Sequence, residues 1–220
     1  VSMAMGKNRE RQIYFAQYLL SNIEFQRVAG CRRQELSKEN YPVTELSWFD
    51  SVEFCRRLSN LPEEKRAGRR YRLPFMREWE QACRAGSTSR FFWGESEDLI
   101  SKYGHVGSDA KCMPSGQFLP NPLGIYDLYG NLWEWCQDTN PEENFEPGDL
   151  DGRNVRWLCG GAWSTPASMI GTSLRDQQHP MTERTTIGLR LVFTLEEPEL
   201  EKKVVETRNT NVAVTMVNSI

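Results

Sequence analysis

PNPLGIYDLYGNLWEW, residues 120–135, is the stretch that decides the fold. It combines prolines and glycines with tyrosines and tryptophans around a short acidic frame between Asp127 and Glu134. Glycine and proline interrupt helices and strands, so the stretch is a poor candidate for either. We predict an ordered core loop whose aromatic side chains pack inward and whose carboxylates are placed to hold a cation.

The whole chain has the composition of an ordinary globular protein. Its 220 residues are 39% hydrophobic, 11% aromatic and 26% charged, with a net charge of −3. This composition is neither disordered nor membrane-like, and no apolar run approaches the roughly 18 residues that span a bilayer. A net negative charge argues against the basic face of a nucleic-acid binder. We therefore expect no nucleic-acid partner and no membrane partner.

The N-terminal sequence and the cysteines bear on location and redox state. Residues 1–12 contain no apolar signal core, which favours a cytoplasmic location. The chain begins at valine, so we expect it to be a processed product or an excised piece of a longer protein. Its six cysteines have no Cys-x-x-Cys spacing and are accompanied by two histidines, so the usual zinc pattern is absent. Without an export signal, we expect the cysteines to be free thiols.

Helix and strand signals are strongest in the N-terminal part. Residues 12–30 are predicted to form a strand followed by a short helix. Ser47 caps a second helix, in which Asp50 is the capping-box partner. A third helix follows Pro74 and ends near Gly86.

The remainder is predicted to be mostly irregular. Turn residues dominate from residue 87 to about 160, and the segment Ile187–Phe193 has the pattern of one buried strand. Residues 1–195 are predicted to form one domain, and residues 196–220 a C-terminal linker or tail.

Several phrases, taken in order, carry a family resemblance. They are Met5-Gly6, SWFDSVEFCRRLS (47–59), YRLPFMREWEQACRAG (71–86), FFWG (91–94), residues 120–135, CGGAW (159–163) and IGLRLVF (187–193). Together they resemble the formylglycine-generating enzyme, or sulfatase-modifying factor, superfamily over nearly the whole chain. The resemblance implies an α+β fold, a variant C-type lectin fold with a small twisted antiparallel sheet, two helices and extensive ordered irregular loops.

The resemblance implies a chemical test as well. In the family's oxidases, a Gly-Gly-Ser phrase is followed by two cysteines that bind copper(I) as thiolates, the soft ligands that this ion requires. The matching positions here are Ala162 for the serine, and Thr165 and Ile170 for the cysteines. The histidines and the added domain of the iron-dependent branch are absent too. We predict no copper, no iron and no enzyme activity; the alternative is an oxidoreductase with non-copper chemistry in the equivalent cleft.

A calcium site is the third implication of the resemblance. Its ligands, carried over by register, are the carboxylates of Asp127 and Glu134 and the carbonyls of Gly130 and Leu132. Such hard oxygen ligands suit calcium, which we predict to be structural. The alternative is that both carboxylates only accept backbone N–H groups in a tight loop.

The region between the glycine pair and the last strand is predicted to bind a ligand. It is small, polar and irregular, and it matches the diversified binding face of variable proteins from diversity-generating retroelements. The matching positions are Trp163, Ser164, Thr165, Ala167, Ser168, Met169, Asp176, Gln177, Gln178, His179, Met181, Thr182, Glu183 and Thr185. We expect a protein ligand or partner subunit on this surface, residues 163–186, either in a diversified receptor or in a regulatory module of a larger assembly. The alternative is an ordinary cluster of surface loops.

Overall fold

The computed structural model describes residues 2–3, 12–30, 38–107, 109, 111–139 and 155–196. The phrase Met5-Gly6, the acidic stretch 140–153 and the predicted tail beyond Glu196 lie outside these ranges. Within them, no helix is long and apolar enough to cross a membrane.

Short strands and helices are separated by long ordered loops. In chain order the elements are β1 Ser2–Met3, β2 Ile13–Phe15, α1 Asn22–Ala29, α2 Trp48–Ser59, α3 Pro62–Arg66, β3 Arg69–Arg72, α4 Met76–Arg84, α5 Ile100–Tyr103, β4 Gly104–His105, β5 Tyr129–Gly130, β6 Trp133–Thr139, β7 Arg156–Cys159, β8 Arg175–Gln178, β9 Ile187–Gly188 and β10 Val192–Leu195. Short 3-10 turns occur at Glu97–Leu99 and Ala167–Met169.

The three longer helices begin and end where local signals predict. Helix α1 ends at Gly30, which adopts the left-handed conformation. Helix α2 begins at the capping box formed by Ser47 and Asp50, in which both reciprocal hydrogen bonds are present. Helix α4 ends at Ala85, one residue before the predicted stop at Gly86, with Ala85 itself left-handed.

Two four-stranded sheets form the framework. One has the strand order β1-β2-β10-β3 and is antiparallel throughout. The other has the order β8-β7-β6-β9, and in it β9 runs parallel to β6. Strands β4 and β5 also pair in parallel, so the described strands include two parallel pairs as well as the predicted antiparallel ones.

The prediction of one buried strand over Ile187–Phe193 is wrong. The segment contributes β9 to one sheet and β10 to the other, and residues 189–191 lie between the two strands. The physical reason is Arg190, whose buried side chain binds Glu134 of β6. The chain therefore passes from one sheet to the other at this residue.

The aromatic run at 120–135 packs inward, as predicted. Tyr129 belongs to a buried cluster with Trp79 and Phe91. Trp135 belongs to a second cluster with Phe54, and its indole N–H donates to a backbone carbonyl of the loop before α2 at 3.0 Å. The run thus joins both cores, which explains why so many aromatic residues occur in so short a segment.

Candidate functional site

The centre of the fold is a tight turn in the 120–135 run. Asp127 and Asn131 both adopt positive φ values, 58° and 61°, and Gly130 lies between them at 92°. A side chain at Gly130 would overlap the backbone carbonyl oxygen of His105, because β4 approaches closely at this point. The turn needs glycine and Asn/Asp-type residues for this reason.

Glu134 and Arg190 form a fully buried ion pair beneath this turn. Both side chains are 0% exposed, and the shortest nitrogen–oxygen distance between them is 2.8 Å. Trp79 donates its indole N–H to the second carboxylate oxygen of Glu134 at 2.7 Å. Charge-assisted hydrogen bonds of this kind offset the cost of burying the carboxylate.

The same guanidinium collects backbone carbonyls from distant loops. Arg190 donates to Ala16 at 3.2 Å, to Gln17 at 2.9 Å and to Tyr126 at 2.8 Å. A group of carboxylate and carbonyl oxygens around a positive charge is the environment expected of a bound cation. Here the positive charge belongs to the chain itself.

Asp127 has a different role from Glu134. Its carboxylate is buried and accepts the backbone N–H of Gly116 at 2.9 Å. Burial raises the pKa of Asp127 above its ordinary value, while this hydrogen bond and the charge of Arg190 act in the opposite direction. Asp127 therefore holds the preceding loop against the turn.

Glu134 does not fit a calcium ligand as it lies. Both of its oxygens accept hydrogen bonds from Arg190, and a second cation beside that buried guanidinium would be repelled. The carbonyl of Gly130 accepts the N–H of Leu132 at 2.8 Å. Among the described residues, no group of three or more His, Cys, Asp or Glu side chains is arranged to hold a metal. Arg190 is therefore the charge partner of Glu134 in this structure, and chelation tests the calcium site expected from the resemblance.

Removal of calcium with a chelator tests whether calcium or Arg190 alone provides the positive charge in this turn. Because Arg190 supplies the positive charge beside Glu134, we expect the melting temperature of the purified protein to be the same in EDTA and in added calcium. Differential scanning calorimetry with magnesium as the control cation measures this. A melting temperature that falls in EDTA, recovers with calcium and no longer responds in Asp127→Ala would establish the calcium site instead.

Half of the fourteen residues predicted to bind a ligand have exposed side chains. Exposed members are Ser164, Ser168, Met169, Asp176, Met181, Glu183 and Thr185. Half-buried members are Trp163, Ala167, Gln177, Gln178, His179 and Thr182. Thr165 is the exception, because it is 8% exposed and its hydroxyl accepts the N–H of Ala162 at 2.9 Å. Thr165 therefore shapes the loop from within.

Arg90 holds the backbone of residues 167–170, in the first part of this surface. Its guanidinium donates to the carbonyls of Ala167, Ser168 and Ile170 at 3.2, 2.8 and 2.9 Å. It also pairs with Glu97 at 2.7 Å. These bonds hold the 3-10 turn while its side chains remain outside. The sequence offers no signal for this contact, since Arg90 lies about eighty positions before its partners.

The central turn also holds this loop, through backbone hydrogen bonds. Trp163 donates its backbone N–H to the carbonyl of Asn131 at 3.0 Å, and Gly107 donates to the carbonyl of Thr165 at 2.8 Å. The side chain of Asn131 in turn bridges both backbone groups of Met113. The 163–170 loop is therefore attached to the turn that carries the family resemblance.

The second part of the surface lies against helix α2. The backbone N–H of Trp48, at the start of α2, donates to the carbonyl of Pro180 at 2.9 Å. Phe49 follows it and is 45% exposed, although it was not among the predicted binding residues. The sequence does contain a signal for the exposure of Phe49, because this residue lies off the apolar stripe of α2 that begins with Trp48 and Val52. An aromatic residue off that stripe is available to a partner.

Residues 6–195 match the sulfatase-modifying factor enzyme 1-like domain. The chain belongs to this family. The formylglycine-generating enzyme of Mus musculus is 30% identical over 179 residues, which cover 70% of this chain and 45% of that protein. The chain thus spans less than half the length of that relative.

Other relatives differ in name and in length. The hercynine oxygenase of Mycolicibacterium smegmatis is 28% identical over 56% of this chain and 33% of its own length. The serine/threonine-protein kinase pkn1 of Chlamydia caviae is 26% identical over 82% of this chain and 29% of its own length. The domain therefore occurs within longer proteins with different names.

Solved structures share the fold. PvdO from Pseudomonas aeruginosa superposes with a TM-score of 0.68 at 22% identity, over 84% of this chain and 81% of PvdO. Treponema denticola variable protein 1 does so with a TM-score of 0.67 at 20% identity, over 87% of this chain and 91% of that protein. The predicted α+β, variant C-type lectin fold is confirmed.

The prediction that this chain is not an enzyme is wrong, because relatives in the sulfatase-modifying factor family are named as enzymes. Thr165 and Ile170 replace one pair of sulfur ligands, and that replacement does not show that activity is lost. Ile170 is 0% exposed and packs in the main core, so this position is filled by a hydrophobic side chain. The oxidoreductase alternative with non-copper chemistry is not favoured.

Proposed function

We propose that this domain binds a protein ligand through the outer side chains of residues 163–186. One observation carries the proposal. Seven of the fourteen predicted side chains are exposed, while the backbone of the 163–170 loop is held by buried or half-buried groups, above all Arg90 and Asn131. A binding loop that is ordered in advance loses less conformational entropy when a partner docks.

The shape and composition of the surface favour a protein over a small molecule. Met169 and Met181 are 60% and 58% exposed, and methionine adapts its shape to different partners. Small-molecule sites are usually concave, with volumes of about 300 Å³ or more. The narrow cleft near Phe92 and Asp127 has no room for a water molecule, and no residue of 163–186 lines it. The exposed segment is therefore the better candidate for binding.

Two biological settings agree with such a surface. In the first, the chain is a variable protein of a diversity-generating retroelement and residues 160–190 are diversified; the likeness to the Treponema variable protein supports this setting through the fold alone. In the second, the chain is a regulatory module of a larger assembly, as the occurrence of the domain in the longer kinase pkn1 suggests. A neighbouring reverse transcriptase gene with a near-repeat of the coding sequence for 160–190 would distinguish the first from the second.

Photo-cross-linking tests the proposal directly. A photoreactive amino acid replaces Ser168 or Met181 in the full chain, expressed in its source cells. Both positions are exposed, so the substitution leaves the fold intact. We expect one discrete covalent adduct with a second protein, identified by mass spectrometry.

Matched control positions make the result decisive. Glu63 and Lys65 on helix α3 are equally exposed but lie outside the segment. Adducts at Ser168 and Met181 that are absent at the control positions support the proposal. Equal labelling at all four positions, or none at Ser168 and Met181, contradicts it.

Arg90→Ala is expected to loosen the surface without unfolding the domain. It removes three hydrogen bonds to the carbonyls of residues 167–170. We expect amide hydrogen exchange at residues 167–170 to become about 10-fold faster, which corresponds to about 1.4 kcal/mol of local stability. Hydrogen-exchange mass spectrometry measures the effect.

The control for this prediction is Arg57→Ala, because Arg57 pairs with Glu53 on the exposed face of α2. It should leave exchange at 167–170 unchanged. Equal exchange rates in the Arg90 variant and the unaltered protein would show that the turn at 167–169 is ordered without Arg90.

A further inference from the structure

Two buried cysteines lie side by side on neighbouring strands. The sulfur atoms of Cys136 on β6 and Cys159 on β7 are 3.6 Å apart, and the two residues are 0% and 2% exposed. A disulfide requires a sulfur–sulfur distance of about 2.05 Å, so a small movement of the two side chains would suffice. Neither residue takes part in the candidate binding surface.

The strand pairing explains why the two sulfur atoms meet. Cys159 lies opposite Glu134, and Cys136 is two positions further along β6, so all three residues belong to the same face of the sheet. The register shifts between Trp135 and Thr139. The carbonyl of Cys136 accepts the indole N–H of Trp48 at 2.8 Å. Cys136 is therefore in an irregular part of the strand, where its side chain leans along the sheet toward Cys159.

We propose that Cys136 and Cys159 are a site of disulfide formation, which joins β6 to β7 when the chain folds in the presence of a disulfide oxidant such as oxidised glutathione. One cysteine thiolate attacks the oxidant and releases one glutathione thiol, giving a mixed disulfide. The second cysteine attacks this intermediate and releases the other glutathione thiol. The two protein thiols are oxidised to one disulfide, the oxidant is reduced to two thiols, and the two protons leave with those thiols.

Because both cysteines are buried in the folded protein, we expect the disulfide to form during folding. In the folded protein the oxidant cannot reach either sulfur, so pre-folded reduced protein should react slowly. Before the core has closed over β6 and β7 during folding, the two thiols are accessible to the oxidant, so we expect the bond to form at that stage. The bond would close a loop over residues 137–158, which favours the folded state by restricting the unfolded chain.

Refolding under controlled redox conditions tests the proposal. The full chain is denatured with reductant and refolded in oxidised and reduced glutathione. We expect a mass lower by two hydrogen atoms, a Cys136–Cys159 linked peptide in a non-reducing digest, and a melting temperature about 5–10 °C higher than that of the reduced protein. Protein that is already folded should show much slower formation of the same peptide.

Cysteine variants separate this bond from other oxidation. Cys136→Ala and Cys159→Ala should each abolish the linked peptide and the rise in melting temperature. Cys55→Ala is the matched control, since Cys55 is 3% exposed in the other core cluster, and it should retain both. A linkage to Cys83, or refolded protein with free thiols at 136 and 159 in every redox mixture, would overturn the proposal. Should an alanine variant fail to fold, peptide mapping of the unaltered chain decides the matter alone.

Discussion

We expect Arg190→Met to lower the free energy of unfolding by about 3–5 kcal/mol. A loss of this size is measured when one partner of a buried ion pair is removed. The reason is that Glu134 is 0% exposed and would be left buried without its cationic partner. Three backbone carbonyls also lose a donor. Urea denaturation followed by tryptophan fluorescence measures the change.

Two comparisons separate the ion pair from general damage. In Arg190→Met combined with Glu134→Gln the unpaired charge is gone, so we expect the double variant to be more stable than Arg190→Met alone. Arg56→Met removes an exposed arginine that pairs with Glu53, and it should change stability by less than about 1 kcal/mol. A loss in Arg190→Met no greater than in Arg56→Met would contradict the assigned role of Arg190.

Gly130→Ala is expected to destabilise the protein by about 3 kcal/mol, and it is the second large effect. Gly130 has a φ of 92°, and an added Cβ would overlap the carbonyl oxygen of His105 and lie 2.5 Å from a side-chain carbon of Val106. The strain of positive φ and the overlap with backbone both oppose the substitution. Because Asn131 follows directly, we also expect weaker attachment of the 163–170 loop. Thermal and urea denaturation measure the stability.

The control is a glycine with the same conformational need but open space. Gly30 has a φ of 73°, and among the described residues no atom outside its chain neighbours and its own helix lies within 4 Å of an added Cβ. Gly30→Ala should cost about 1–2 kcal/mol, the penalty of the left-handed conformation alone. If Gly130→Ala and Gly30→Ala had equal effects, close packing against His105 would not explain the glycine.

Local chemistry made much of the fold predictable. The capping box at Ser47 and Asp50 fixes the start of α2 through hydrogen bonds between residues three positions apart, so sequence alone reveals it. Gly30 ends α1 for an equally local reason. The strand prediction at 187–193 failed because an apolar run has the same pattern whether its residues join one sheet or two.

The candidate site was predictable in outline only. Exposure of Ser164, Ser168 and Met169 agrees with a polar, irregular segment after the glycine pair. The inward position of Thr165 did not follow from its polarity, because its hydroxyl satisfies a backbone N–H inside the loop. The prediction of no enzyme activity failed because the two replaced cysteines bear only on copper binding at those positions. The family also includes proteins named for other chemistry, such as a hercynine oxygenase.

The sequence by itself determined the approximate bounds of α1, α2 and α4, the inward-packed aromatic run at 120–135 and the family, because these depend on neighbouring residues or on ordered phrases. Only the tertiary structure decided that Glu134 is neutralised by Arg190, 56 positions away. It likewise decided that Arg90 supports the 163–170 loop and that Cys136 meets Cys159. Such contacts arise when loops with no common sequence signal are brought together by packing, and no local pattern encodes which charge or thiol will lie opposite.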